Sequence, residues 1–349
     1  MIRHTTRIKR EIIFFLLLGL LQATAPVELA GAADYDIGAM GRECTEKIGV
    51  IEPFNCLNGE LIPITTNGRL VNPGESAPSV CDKPSFLAPA FCKPLSRVGR
   101  LPSVGPNGVE DDDVQVIFIC RRYNDVTDPN DPKFKDVAIV QHRKSTGDTC
   151  FFQHLADYLD ATRVPPPTEA ASQTPAGSPT AEQFWLPPQQ TANINCNSCH
   201  DAGPFIHSPY IDQVRVPSTP TETIVFPFPD VRNNEPTNYR YVGQPFQTWG
   251  IPQMIVPQGN KCAECHVFGI NASSDNFTRF AVGRAAPNSI TEGYTHYPNS
   301  HWMPPAQAQE MPEQIFERLY GQSIDQILAC GARGAMESAP ECNRRAFGP

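Results

Sequence analysis

Hydrophobic and polar positions along the chain fall into three regimes. The first is a ten-residue apolar run, Ile12 to Leu21, placed behind the basic side chains Arg3, Arg7, Lys9 and Arg10. The run is short for a membrane span, and Ala30-Gly31-Ala32 follows it as a small-residue cleavage site. Residues 1–32 therefore read as a signal peptide, with an uncleaved anchor as the alternative. The absence of a cysteine at the cleavage point argues against a lipoprotein. The second regime, residues 33–163, carries short runs of β-branched and aromatic residues at 114–120, 137–140 and 149–152. Turn signals such as Asn67-Gly68, Asn72-Pro73-Gly74 and Pro106-Asn107-Gly108 punctuate it. This pattern predicts a small antiparallel β domain. Residues 164–181 open on Pro165-Pro166-Pro167 and offer little apolar surface, which predicts a Pro-rich linker. The third regime, residues 182–349, is loop-rich until Pro312. Beyond it Ile315, Phe316, Leu319, Tyr320, Ile327 and Leu328 form one helical stripe.

Composition sharpens this picture. The chain holds 36 prolines in 349 residues, about twice the usual share, which points to short elements and many loops. Removing residues 1–32 takes away four basic and two acidic side chains and moves the formal charge from −9 to −11. That balance disfavours nucleic acid and anionic membrane surfaces as partners and permits docking to a basic redox protein.

The 12 cysteines carry the chemistry. Four of them form the pentapeptide Cys-x-x-Cys-His twice, as Cys196-Asn197-Ser198-Cys199-His200 and Cys262-Ala263-Glu264-Cys265-His266. Two thiols three positions apart can each form a thioether with a haem vinyl group, and the adjacent imidazole then lies under the iron. A zinc site is the rival reading, but its ligand pairs are usually closer together and do not need a His after each pair. A thioredoxin-like pair calls for one motif in a βαβ context. The motifs thus predict two covalently bound c-type haems, ligated by His200 and His266. The motifs begin 66 residues apart, so the two haems are expected in one compact unit, each motif on a short helix. The remaining eight cysteines, 44, 56, 81, 92, 120, 150, 330 and 342, fit structural disulfides in an oxidising compartment. Nearest-neighbour pairing (44–56, 81–92, 120–150, 330–342) is the expected connectivity, and free catalytic thiols are the alternative.

Other titratable groups offer less. His142 and His154 lie near two strand ends as a possible metal pair or extra haem ligand, against a plain hydrogen-bonding role. Asp111-Asp112-Asp113 lacks the ligand spacing of a calcium loop. Arg240, Arg279 and Arg284 suit haem propionates by their fork geometry, and suit the surface equally well.

The sixth iron ligands decide the function. For the second haem the candidate is Met303 in His301-Trp302-Met303-Pro304-Pro305, 37 residues after His266, with His301 or His296 as rivals. Here the sequence resembles the class I cytochromes c, in which a Met-Pro loop after the haem motif delivers a sulfur to the iron. The resemblance covers the two motifs and this loop, and not the first region. It implies a cytochrome c-like domain over 182–349. The full expected fold is then α+β: a disulfide-stapled antiparallel β domain followed by a mainly α dihaem domain. For the first haem, Met254 follows His200 by 54 residues, without a proline directly after it. His207 is only seven residues on, and seven residues span at most ~25 Å, so reaching the far face of the same haem needs an almost extended wrap. It is otherwise placed to ligate the neighbouring haem or to bond a propionate. A five-coordinate open iron is the third option.

Two classes of function follow. One is an electron carrier with two six-coordinate haems, periplasmic or secreted in a bacterium, working with a redox partner protein. The other is a dihaem redox enzyme, peroxidase-like, with one open haem. Dihaem peroxidases place their motifs farther apart and nearer the mature N-terminus, which favours the carrier. A third reading has the β region bind a partner and position the haems as a relay.

Overall fold

The computed structural model describes residues 35–87, 91–124, 126–227, 238–284, 312–332 and 340–348. The expected signal peptide, Met303, His296 and His301 lie outside the described residues. Helix α1 (Ile37–Lys47) opens the described chain, with the Asp36 carboxylate accepting from Ala39 N at 2.7 Å as its cap. Short strands β1 (Glu60–Leu61), β2 (Thr65–Thr66) and β3 (Arg69–Leu70) follow, and β2 and β3 form a small hairpin. The principal strands are β4 (Arg97–Arg100), β5 (Val114–Arg121), β6 (Lys133–Arg143) and β7 (Asp148–Asp160). The three predicted β-rich runs lie within β5, β6 and β7.

Helices α2 (Ala181–Phe184), α3 (Pro188–Asn193) and α4 (Pro209–Asp212) are each a turn or two. Strands β8 (Arg215–Val216), β9 (Thr219–Thr223), β10 (Arg240–Tyr241), β11 (Gln253–Ile255) and β12 (Phe268–Gly269) lie among them and after them. Helix α5 (Asn276–Ala281), helix α6 (Glu313–Ala332) and strand β13 (Arg344–Ala346) complete the chain. The main sheet has the order β1-β4-β5-β6-β7-β10 and is antiparallel except at its last pair. There β10 runs parallel to β7, pairing Arg240 with Asp148 and so drawing chain beyond the first motif onto the sheet edge. A second sheet, β12-β11-β13, joins the chain around the second motif to the C-terminal tail. The protein is thus mixed α+β with one large sheet.

Both faces of that sheet are buried, which explains why β5 reads as a nearly continuous apolar run. Phe118, Cys120, Val137, Ile139, Cys150 and Phe152 face the rear, under α1 and α2. Two disulfides fasten this rear face: Cys44–Cys150 ties α1 to β7, and Cys56–Cys120 ties the turn after β-bridging Phe54 to β5. These replace the expected 44–56 and 120–150 pairs. The reason is geometric, since Cys120 and Cys150 sit on β5 and β7 with β6 between them. Two strand spacings of about 4.8 Å exceed the reach of a disulfide. The other two pairs, Cys81–Cys92 and Cys330–Cys342, are as expected.

The tract 164–181 lies against the fold. Val164 bridges Phe54, the Pro165 carbonyl accepts from Trp185 Nε1 at 2.9 Å, and Arg163 pairs with Glu169. The described residues from Tyr35 onward cluster as one compact unit. In α6 the side chains of Phe316, Ser323, Ile324, Ile327, Leu328 and Cys330 are buried, whereas Ile315 and Leu319 of the expected stripe face outward. No described helix is long and apolar enough to cross a membrane.

Candidate haem-binding site

The first motif begins where Asn195 adopts a left-handed conformation, φ 66°, and turns the chain out of α3. Cys199 N and His200 N then both donate to the Cys196 carbonyl, at 3.1 and 2.8 Å. One short turn of 3₁₀ helix, Cys196–Ser198, therefore gathers both thiols and the imidazole where a short helix is expected. His200 Nδ1 lies 2.7 Å from the Pro204 carbonyl oxygen. A carbonyl only accepts, so Nδ1 carries the proton and the lone pair resides on Nε2. Burial pushes the His200 pKa down to about 4, with the Pro204 carbonyl opposing and the Arg121 charge adding, so the ring is neutral. Phe151 closes on it edge-first at 5.3 Å, and Tyr239 donates its hydroxyl to the His200 carbonyl at 2.7 Å.

The second motif is built in the same way. Cys265 N and His266 N donate to the Cys262 carbonyl at 3.2 and 2.9 Å. Asn260 Oδ1 accepts from Cys262 N and Ala263 N, while its Nδ2 donates to the Ser323 carbonyl at 2.8 Å, which anchors the turn on α6. Burial, with a smaller contribution from His207, lowers the His266 pKa. Asp201, the residue after His200, fastens the two motif segments together. Its carboxylate accepts from Asn271 N at 2.6 Å and Ser273 N at 3.2 Å. Gly269 is required beside it, because a Cβ there would sit 2.2 Å from the Asp201 carbonyl oxygen.

Each turn opens onto a predominantly apolar cleft. The second is walled by Cys262, His266, Phe268, Ala281, Ile324 and Ile327. The first lies between Cys196, His200 and the front of the main sheet, with Ile119, Val140 and Phe151 facing it. Cys199, Ile206 and Phe277 line both clefts, so a single layer of side chains separates them. Phe277 is stacked on Phe86 at 4.4 Å.

All eight remaining cysteines pair, and the four of the motifs stay free. Burial raises the thiols of Cys196, to about 11, and of Cys199 and Cys262. They are therefore poor nucleophiles in this state. Among the described residues no group of three or more His, Cys, Asp or Glu side chains is placed to hold a metal ion. No family model, curated protein or solved structure matches the chain.

The other predicted site residues separate. Met254 is buried in β11, its sulfur 3.4 Å from Arg345 Nε, and it lines neither cleft. His207 lines the second cleft with His266. His142 faces the front of the sheet and bonds Thr149 Oγ1 at 2.8 Å, whereas His154 faces the rear and bonds the Phe184 carbonyl. The two do not meet. Asp111 and Asp113 both pair with Arg143. Arg240, Arg279 and Arg284 bind Asp148, Asp275 and the pair Glu317 and Asp325, respectively.

Sequence reasoning missed the polar edge of the first cleft: Arg121, Gln153, Ser208 and Tyr210. Arg121 Nη1 donates to both Asp136 oxygens at 3.0 Å, and Tyr123 and Gln153 complete the carboxylate's shell at 2.6 Å. The available signal was alternation, since Ile119 and Arg121 project to the same face of β5.

Proposed function

We propose that the chain is an exported electron-transfer protein with two covalently attached c-type haems. One observation carries this reading. In a chain whose other eight cysteines are all in disulfides, the four free ones are those of the two Cys-x-x-Cys-His turns, and each turn opens onto an apolar cleft. At the first motif the donor set fits the group, with the Cys196 and Cys199 thiols, able to add their S–H across vinyl double bonds, and a neutral His200 on one cleft; at the second, Cys262 and His266 share the cleft while Cys265 is exposed beside it. A haem supplies a reversible one-electron couple when bound. The residues do the rest. Pro204 holds His200 Nδ1–H, which fixes the ring and leaves Nε2 for iron. The apolar walls exclude water and thereby influence the potential. The shared wall of Cys199, Ile206 and Phe277 favours transfer between the two sites. Four disulfides together with the N-terminal pattern support export to a bacterial periplasm or beyond, and the acidic surface suits a basic redox partner.

The redox-enzyme reading keeps one supporting observation. Among the described residues the first cleft contains no methionine and no histidine other than His200, yet it holds Arg121 and Tyr210. The test is production in a host that attaches c-type haem, followed by intact mass, visible absorption and EPR. Two covalent haems per chain are expected, falling to one in Cys262→Ala/Cys265→Ala. No covalent haem would overturn the proposal. Two low-spin haems support the carrier, and a persistent high-spin signal in the wild type selects the enzyme.

A further inference from the structure

We propose that His207, on the segment leaving the first motif, is the second axial ligand of the haem at the second motif, opposite His266. The inference rests on the dihaem reading. The segment after Pro204 passes from the second cleft to the first across the wall between them. Phe205 and His207 line the second cleft, Ser208 and Tyr210 the first, and Ile206 both. His207 therefore emerges in the cleft of Cys262 and His266. It does not line the cleft of its own motif.

Its ring is held as metal-ligating histidines are held. Nδ1 lies 3.0 Å from Asp212 Oδ1, so the carboxylate takes the Nδ1–H, sets the ring plane and makes Nε2 the ligating atom. Nε2 sits 3.1 Å from the Phe226 carbonyl oxygen. On binding haem, His207 would exchange the Phe226 carbonyl contact for the iron while Asp212 would go on orienting Nδ1. The segment is fixed at both ends, by the Pro204–His200 bond and by buried Ser208 at the start of α4. The second haem is then held by one histidine from each motif's segment. Its potential lies below that of a His/Met haem.

The test uses the full-length, haem-loaded protein and separates two questions. Intact mass reports haem number, and EPR with visible absorption reports axial ligation. The wild type is expected to carry two haems, with no methionine–iron band from the second. His207→Gly is expected to keep two haems, turn one per chain high-spin, and return to low spin with added imidazole. His207→Met is the second variant, and it is expected to bring in a methionine–iron band. If His207→Gly stays fully low-spin, the ligand assignment fails. It fails equally if a methionine–iron band of the wild type survives in that variant and is lost in Met303→Ala. If the wild type lacks two covalent haems, the dihaem reading itself fails.

Discussion

Phe151 is where the disulfide-stapled sheet meets the first motif, and it provides the most direct test of how the site is supported. It is adjacent to Cys150 on β7 and almost fully buried. Its ring centroid lies 5.3 Å from His200, 5.6 Å from Trp249, 6.3 Å from Tyr241 and 6.5 Å from Phe246. Truncating a buried phenylalanine to alanine costs about 3–5 kcal/mol, and edge-on aromatic pairs add about 0.5–1.5 kcal/mol each where they are well packed. Phe151→Ala is therefore expected near the top of that range. Phe151→Leu retains most of the volume and is expected to cost about 1.5 kcal/mol. Guanidinium unfolding of the oxidised protein, followed by tryptophan fluorescence, measures both. Removing the ring also admits water to His200, so its depressed pKa should rise toward the ordinary histidine range in a cofactor-free sample, readable by NMR. A loss below about 1 kcal/mol for Phe151→Ala, or equal losses for the two variants, would refute this account of the packing.

Non-reducing peptide mapping should recover Cys44–Cys150 and Cys56–Cys120; fragments linking 44 to 56 would contradict the fold. With a sequence separation of 106, opening Cys44–Cys150 is expected to cost about 4.7 kcal/mol, against about 3 kcal/mol for Cys81–Cys92 with a separation of 11. Gly269→Ala must push the two motif segments apart and should destabilise by about 1–3 kcal/mol, an effect that a wild-type melting curve would disprove. Burial depresses the His142 pKa to about 4, so the folded ring stays neutral while the unfolded ring protonates below about 6.5. Stability from this group is complete above that pH and falls by about 3 kcal/mol as the pH drops to about 4. His142→Gln should flatten that part of the pH profile, and identical profiles would remove His142 as the cause.

The sequence revealed what depends on local chemistry. The runs at 114–120, 137–140 and 149–152 are strands because β-branched and aromatic residues suit a sheet buried on both faces, and Cys81–Cys92 and Cys330–Cys342 close short loops. The motif turns follow from their spacing alone. Long-range pairings were less legible: Cys44 and Cys56 find partners by crossing the rear of a sheet whose strand order the chain does not announce. Helix α1 carried a signal that was overlooked, an Asp36 cap followed by apolar Ile37, Met40 and Cys44 at helical spacing. In α6, Ile324 replaces Ile315 and Leu319 on the buried side because its residues pack in two clusters, with Ile327 in one and Phe316, Ile324 and Leu328 in the other. For the candidate site, the thiols and histidines of the two motifs were legible. The sheet wall of the first cleft and the Asp201 tie were not, because both join residues far apart in the chain.

The crossing disulfides also bear on how the chain matures. Of the twelve cysteines, eight are in disulfides and four remain free. Thiol–disulfide exchange requires thiolate and access. Once the sheet is closed by Cys44–Cys150 and Cys56–Cys120, Cys196 lies in the cleft in front of it with its thiol pushed up to about 11, and so exchanges poorly. Closing the rear of the sheet thus leaves Cys196 shielded at its front, a protection that the exposed Cys265 does not share.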